Sequence, residues 1–184
     1  MTDYKGNNLK GSETEKNLYK TFAGESRARA KYFMFAEKAK EEGFQGIAEI
    51  FEETGRNEYA HSREVFNRYL GNVKSTEENL QTAIAGETEE FETLYKEFEE
   101  TARKEGYDQI ADFYKELREV EEGHQERFKV LKDKVANGTV FTSKEPIEWI
   151  CMNCGYIHEG TEAPKVCPLC KYPQAYFKPK CEIK

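Results

Sequence analysis

Apolar residues recur at three- and four-residue steps through the first three quarters of the chain, which is the period of an amphipathic helix. Four such stretches are legible, over 12–43, 45–70, 76–105 and 107–135. The first carries its stripe on Leu18, Phe22, Ala28, Tyr32, Phe35 and Ala39, and the second on Ile47, Ile50, Phe51, Thr54 and Val65. The third uses Ile84, Phe91, Leu94, Phe98 and Ala102, and the fourth Ile110, Phe113, Leu117, Val120, Phe128, Leu131 and Val135. "EEGF" and "KEGY" are tight connections, so the pattern predicts two antiparallel helical hairpins. "GNVKS" (71–75) joins them, with Ser75 placed as an N-cap. "ANGTVFTSKEP" (136–146) reads as a helix stop followed by a linker. The expected fold is therefore an all-α four-helix bundle over 1–140, followed by a small separate domain over 146–184.

The helical part repeats itself. "AGES" (23–26) returns as "AGET" (85–88), and "FAEKAKEEGFQGIAEIFEE" (35–53) returns as "FEETARKEGYDQIADFYKE" (98–116). One hairpin is used twice, which implies a pseudo-twofold arrangement. The offset between copies is 62 before Thr88 and 63 after Glu97, so one residue is inserted between them. Inside a continuous α-helix an extra residue rotates all later positions by about 100° and takes Phe98 and Ala102 off the stripe. A single wide turn with i→i+5 bonding absorbs it. The repeat thus predicts a π-bulge within 88–97.

Several acidic residues and two of the three histidines fall on the apolar stripes. Glu25 follows Phe22, and Glu87 follows Ile84. Glu58 and His61 continue the second stripe, and Glu121 and His124 the fourth, each pair as E-x-x-H. Glu90 lies one turn beyond Glu87, where the first copy has Ala28. Carboxylates sharing a core repel one another and take up protons unless cations lie among them. The stripes show no Lys or Arg in those layers. Residues three apart share a helix face, so each E-x-x-H can grip one metal, and this oxygen-and-imidazole mixture suits iron or manganese. A lone E-x-x-H is ordinarily a solvated helix face; two copies in register with a duplicated scaffold are far more specific. Tyr32 and Tyr95 lie near the same layers, where spacing alone leaves them equally well explained as core aromatics.

The five cysteines all lie after residue 150. Cys151/Cys154 and Cys167/Cys170 form two C-x-x-C knuckles twelve residues apart, a four-thiolate metal site. Zinc and iron both accept tetrahedral sulfur, and spacing does not choose between them. Trp149, Tyr156, Tyr172, Tyr176 and Phe177 either shield a redox iron or make the core of a small module. His158 is expected at the surface and Cys181 as a free thiol. A formal net charge of −7 disfavours nucleic acid and anionic membranes as partners. No apolar run approaches the roughly 18 residues of a membrane span. "MTDYKGNNLK" has no signal-peptide core, so a cytoplasmic protein is expected.

The helical part resembles the ferritin-like domain of the rubrerythrin family through "AGESRARAKY", "NEYAH", "AGETEEFETLY" and "EEGH". The tail resembles its rubredoxin-like domain through "WICMNCGYIHEG" and "CPLCKYPQAYF". The resemblance implies that Glu25, Glu58, His61, Glu87, Glu90, Glu121 and His124 hold two non-haem irons, with Tyr32 and Tyr95 as hydrogen-bonding partners of the ligands. It implies that Cys151, Cys154, Cys167 and Cys170 hold one iron. It implies a peroxidase that reduces hydrogen peroxide to water in oxidative-stress defence. Electrons would come from NAD(P)H through rubredoxin or a separate reductase and pass through the four-cysteine iron. It also implies exchange of His61 for Glu90 at one iron on oxidation. From His124 to the end of its helix is already about 17 Å, so a homodimer is expected to shorten the electron path. The link 71–75 is short for the family's crossover. The alternatives are a ferroxidase or iron-handling protein, and a scaffold with zinc in the thiolate site.

Overall fold

The computed structural model describes residues 9–180; the expectation for Cys181 lies outside them. The chain divides into two compact units, one ending at Lys74 and one beginning at Ser75. Four helical rods come first, as the periodicity requires, and a small antiparallel β region comes last.

The first unit is one hairpin. Helix α1 (Glu13–Glu41) starts where the Ser12 hydroxyl accepts the Glu15 N–H at 3.0 Å. It stops at Gly43, whose φ of +82° suits the left-handed residue of a Schellman motif. There the Phe44 N–H reaches back to Ala39 O at 2.8 Å and the Gly43 N–H to Lys40 O at 3.1 Å. Helix α2 (Gln45–Arg63) then returns along α1 and continues as a π-helical segment, Glu64–Tyr69.

The second unit begins with a complete capping box at Ser75 and Glu78, so Ser75 is the N-cap its position predicts. Helix α3 (Thr76–Glu89) runs into a π turn, Glu90–Leu94, and resumes as α4 (Tyr95–Lys104). The π-bulge lies inside the window that the repeat offset defines, and the Tyr95 N–H donates to Glu90 O, five residues back. Gly106 repeats the Schellman stop of Gly43, with the Tyr107 N–H on Ala102 O at 2.8 Å. Helix α5 (Asp108–Ala136) completes the hairpin. The repeat is legible only as far as His61 and His124, so it carries no signal for the π segment Glu64–Tyr69.

The apolar stripes are only partly interior. Each hairpin seals a seam of small residues: Ala36, Ala39 and Ala48 with Phe51 in the first, and Ala102 and Ala111 in the second. Phe35, Ile47, Ile50, Phe98, Ile110, Phe113, Val120 and Leu131, all expected in the core, are exposed. Two helices can bury only the residues along their own line of contact, and the remaining apolar width stays uncovered within each hairpin.

The β region corrects the linker. Helix α5 is stopped by Gly138 (φ +66°), two residues past its end, and strand β1 (Thr142–Cys151) begins four residues after that glycine, so 142–146 are strand. Strand β1 pairs antiparallel with β2 (Ile157–Glu162) and β3 (Phe177–Pro179), in the order β2-β1-β3. Its core is Trp149, Cys151, Ala163, Cys167 and Phe177, with Tyr156 packed against it. Tyr172 and Tyr176 pack edge-to-face on one another at the surface, centroids 4.6 Å apart. His158, expected outside, is half-buried with its Nε2 close over Gly160. Among the described residues no helix is long and apolar enough to cross a membrane.

Candidate metal centres

In the first hairpin the E-x-x-H spacing puts Glu58 and His61 on one face of α2, opposite Glu25 of α1. His61 Nδ1 lies 3.0 Å from Glu58 Oε2 and 3.6 Å from Glu25 Oε2. In the second, His124 Nδ1 lies 2.7 Å from Glu121 Oε2 and 3.8 Å from Glu87 Oε2. Each trio brings its ligand atoms within 4.8 Å of one another. The duplication therefore yields two matching half-sites, each with two carboxylates and one imidazole.

Crowding of like charges shows in the proton affinities. The Glu58 carboxylate beside Glu25 pushes the Glu25 carboxyl above its usual range, and burial adds to this. Glu58 is held below the usual range by its hydrogen bond with Glu25, then by His61. His61 is raised, chiefly by Glu58. Glu87 is raised first by burial and then by Glu121. A cation between the carboxylates would relieve this repulsion, and oxygen with imidazole is a donor set suited to iron. The residues fit a di-iron carboxylate site.

Glu90 stands outside both trios, at the first position of the π turn. The Tyr95 hydroxyl donates to Glu90 Oε2 at 3.2 Å. Burial and the Glu90 charge push the Tyr95 phenol up, so it stays protonated. Tyr32 sits among rings, 6.3 Å from Phe35 and 6.2 Å from Phe51.

Two features of the second half-site have no signal in the helical pattern. Gln125, next to His124, is buried, and its Nε2 donates to the Thr88 hydroxyl at 2.8 Å. Thr88 is next to Glu87, so this bond ties the helices of Glu87 and His124 together. Arg118 lies one turn before Glu121 and is half-buried, which corrects the expectation that no cation shares these layers. Its guanidinium serves Glu99 at 3.1 Å and Phe91 O at 2.9 Å.

The four cysteines close into a cage at the β region. Cys151 Sγ lies 3.7 Å from Cys170 Sγ, and Cys154 Sγ 3.7 Å from Cys167 Sγ. A metal–thiolate bond of about 2.3 Å places tetrahedral sulfurs about 3.8 Å apart, so the cage fits a four-thiolate metal. The knuckles are copies of one another. Gly155 and Lys171 both have positive φ, and their N–H groups return to Cys151 O and Cys167 O at 2.8 and 3.0 Å. The Tyr156 N–H lowers the Cys154 thiol, but burial and the other three sulfurs outweigh it and push it up to about 12. Burial raises Cys170, yet Asn153, the Tyr172 N–H and neighbouring sulfurs bring it down to about 6.

A family model of rubrerythrin matches residues 16–132, and one of the rubrerythrin rubredoxin-like domain matches 149–178. The chain belongs to the rubrerythrin family. Rubrerythrin of Porphyromonas gingivalis is 44% identical over 93% of this chain and 92% of its own length. Rubrerythrin of Nitratidesulfovibrio vulgaris is 40% identical over 92% and 95%. A putative rubrerythrin of Methanocaldococcus jannaschii is 41% identical over 92% and 94%. A solved structure of nigerythrin in a partially reduced state aligns with 98% of the chain and 91% of its own, at 28% identity and a TM-score of 0.36. As a rubrerythrin the chain carries the residues of a di-iron carboxylate site and of a rubredoxin-like iron site.

Proposed function

We propose that this rubrerythrin is a peroxidase that reduces hydrogen peroxide to water at a non-haem di-iron centre, with electrons entering through the four-cysteine iron. The reading rests on one observation: two carboxylate–imidazole half-sites and a four-thiolate cage of tetrahedral dimensions lie on the same chain. A simple iron store has no use for the cage. Glu25, Glu58, His61, Glu87, Glu90, Glu121 and His124 hold the iron pair, and Cys151, Cys154, Cys167 and Cys170 the single iron. When bound, the iron pair supplies two electrons to the O–O bond, and the thiolate iron relays one electron at a time. In both half-sites the histidine nitrogen facing the carboxylates is Nδ1. Tyr95 holds a proton at its hydroxyl against Glu90, and water formation consumes two protons per peroxide. NAD(P)H supplies the electrons through rubredoxin or a separate reductase. The working units are the helical part, 1–140, and the four-cysteine part that opens with β1 at Thr142, in a cytoplasmic homodimer.

The test is anaerobic loading of the full chain with ferrous iron, followed by oxidation and stepwise peroxide addition to the reduced protein. A red ferric–thiolate spectrum, three irons per chain and one peroxide consumed per two electrons are expected. A colourless cage, or iron uptake far beyond three per chain with peroxide left unreduced, would overturn the reading in favour of a zinc scaffold or an iron-handling protein.

A further inference from the structure

The π turn Glu90–Leu94 creates a backbone problem that a side chain solves. In an unbroken α-helix the Tyr95 N–H would donate to Phe91 O. Here it donates to Glu90 O, and Phe91 O leaves the regular i→i+4 pattern. A carbonyl displaced in this way at a partly buried position needs another donor. Arg118 Nε donates to it at 2.9 Å across the hairpin, from α5. The same guanidinium is anchored through Nη1 to Glu99 Oε2 at 3.1 Å. Glu99 is itself held by Arg103 at 3.2 Å, and Arg103 by Asp112 at 2.9 Å. The Arg118 fork thus grips one carboxylate on α4 and one carbonyl inside the π turn.

The repeat supports the assignment independently. At the offset of 63, Arg118 corresponds to Gly55 and Glu99 to Ala36. Gly55 packs under Phe33, and Ala36 is in the seam. The first hairpin has neither the inserted residue nor the ion pair at these positions. The second has both, together with Glu90, which has no counterpart in the first copy.

We infer that Arg118 is a positioning residue: by capping Phe91 O it locks the π turn and so fixes where Glu90 and Tyr95 stand at the metal site. The part of this that concerns iron rests on the proposed di-iron reading; the locking of the turn does not. A guanidinium meets two acceptors at once through its planar fork, whereas a lysine at the same place is a point charge that keeps only the Glu99 pair. The role therefore differs from that of a staple between helices, which any cation at 118 would perform.

The experiment is hydrogen–deuterium exchange on the metal-free full chain, read over the amides of residues 90–96. Arg118→Lys and Arg118→Met are expected to speed exchange there by roughly tenfold, the scale set by losing a charge-assisted hydrogen bond. Arg103→Met, which breaks the other ion pair of Glu99, should leave those amides as they are. Parent-like protection in Arg118→Lys, or equal loss in Arg103→Met, overturns the inference. Should Arg118→Met fail to fold, Arg118→Lys against Arg103→Met still decides it. A second measurement uses the iron-loaded chain. The midpoint potential of the iron pair in Arg118→Lys should move in the same direction as in Glu90→Gln, with no further shift in the double variant. Additive shifts overturn the link to Glu90. A chain that takes up no iron pair breaks the proposed function alone, because the exchange result stands without metal.

Discussion

The Gln125–Thr88 bond offers a measurement of how tightly the second half-site is held. Gln125 is 6% exposed. Its Nε2 donates to Thr88 Oγ1 at 2.8 Å, and that hydroxyl donates onward to Ile84 O at 2.7 Å. Thr88→Val keeps the shape but removes the acceptor, leaving a buried amide donor without its partner. Such an orphan costs about 1–3 kcal/mol. For a chain of this size that is a fall in Tm of roughly 2–12 °C. Gln125→Leu removes the donor instead and leaves the Thr88 hydroxyl with Ile84 O, so about 0.5–1.5 kcal/mol is expected. The double variant has no stranded amide and should cost about as much as Gln125→Leu alone, so the coupling is close to the whole Thr88→Val effect, about 1–3 kcal/mol. Denaturant unfolding of the metal-free protein, followed by circular dichroism, measures all four corners of the cycle. Because the bond lies between Glu87 and His124, Thr88→Val should also lower iron retention against a chelator. Effects of the two single variants that add to within about 0.5 kcal/mol would refute the claim that this bond clamps the helices.

Other consequences follow from the same geometry. Glu87 binds its proton more tightly folded than unfolded, so in the metal-free chain its contribution to stability falls as pH rises from about 4.3 through its raised folded value. Glu87→Gln should therefore raise the urea midpoint at pH 7 and leave it unchanged below pH ~4; a lower midpoint at pH 7 would contradict the repulsion described. In the metal-free cage Cys170, near 6, is largely thiolate at neutral pH while Cys154, near 12, is a thiol. Iodoacetamide at pH 7 should label Cys170 well before Cys154 in a peptide map, and the reverse order would count against the assignment. A Cβ on Gly55 would meet the Phe33 ring at 3.2 Å, whereas one on Gly123 meets nothing within 4 Å. Gly55→Val should destabilise by about 1–3 kcal/mol through overpacking, and Gly123→Ala should stabilise by about 1 kcal/mol through helix propensity. Thermal unfolding of the two variants, with equal or inverted effects as the negative result, distinguishes them.

The elements and the candidate ligands were legible because each depends on neighbours in sequence. The helix period, the Ser75 cap, the glycine stops and the E-x-x-H and C-x-x-C spacings all act over a few residues. The π turn was legible for a different reason: two copies of one hairpin cannot differ by a residue and both remain plain helices. The segment Glu64–Tyr69 is also π-helical, but it lies past the part of the hairpin that the repeat covers, so no offset marks it.

What only the tertiary structure decided are contacts between residues far apart in the chain. A stripe of apolar residues states that a helix has an inner face, not which part of that face is sealed. The seam went to Ala36, Ala39, Ala48, Ala102 and Ala111, while Phe35 and Phe113 stayed exposed within their hairpins, because only small side chains let two helices approach closely along their line of contact. Arg118 meeting Phe91 O and Gln125 meeting Thr88 depend on how α5 lies against α3 and the π turn. A hydrogen bond requires about 3 Å and a narrow angle, and a small change in that packing would remove it. The sequence by itself determined the helices, the carboxylate, imidazole and thiol side chains that cluster on them and in the knuckles, and the duplication of the hairpin, since those are local and periodic; the bonds that hold the side chains in place exist only once the helices have packed.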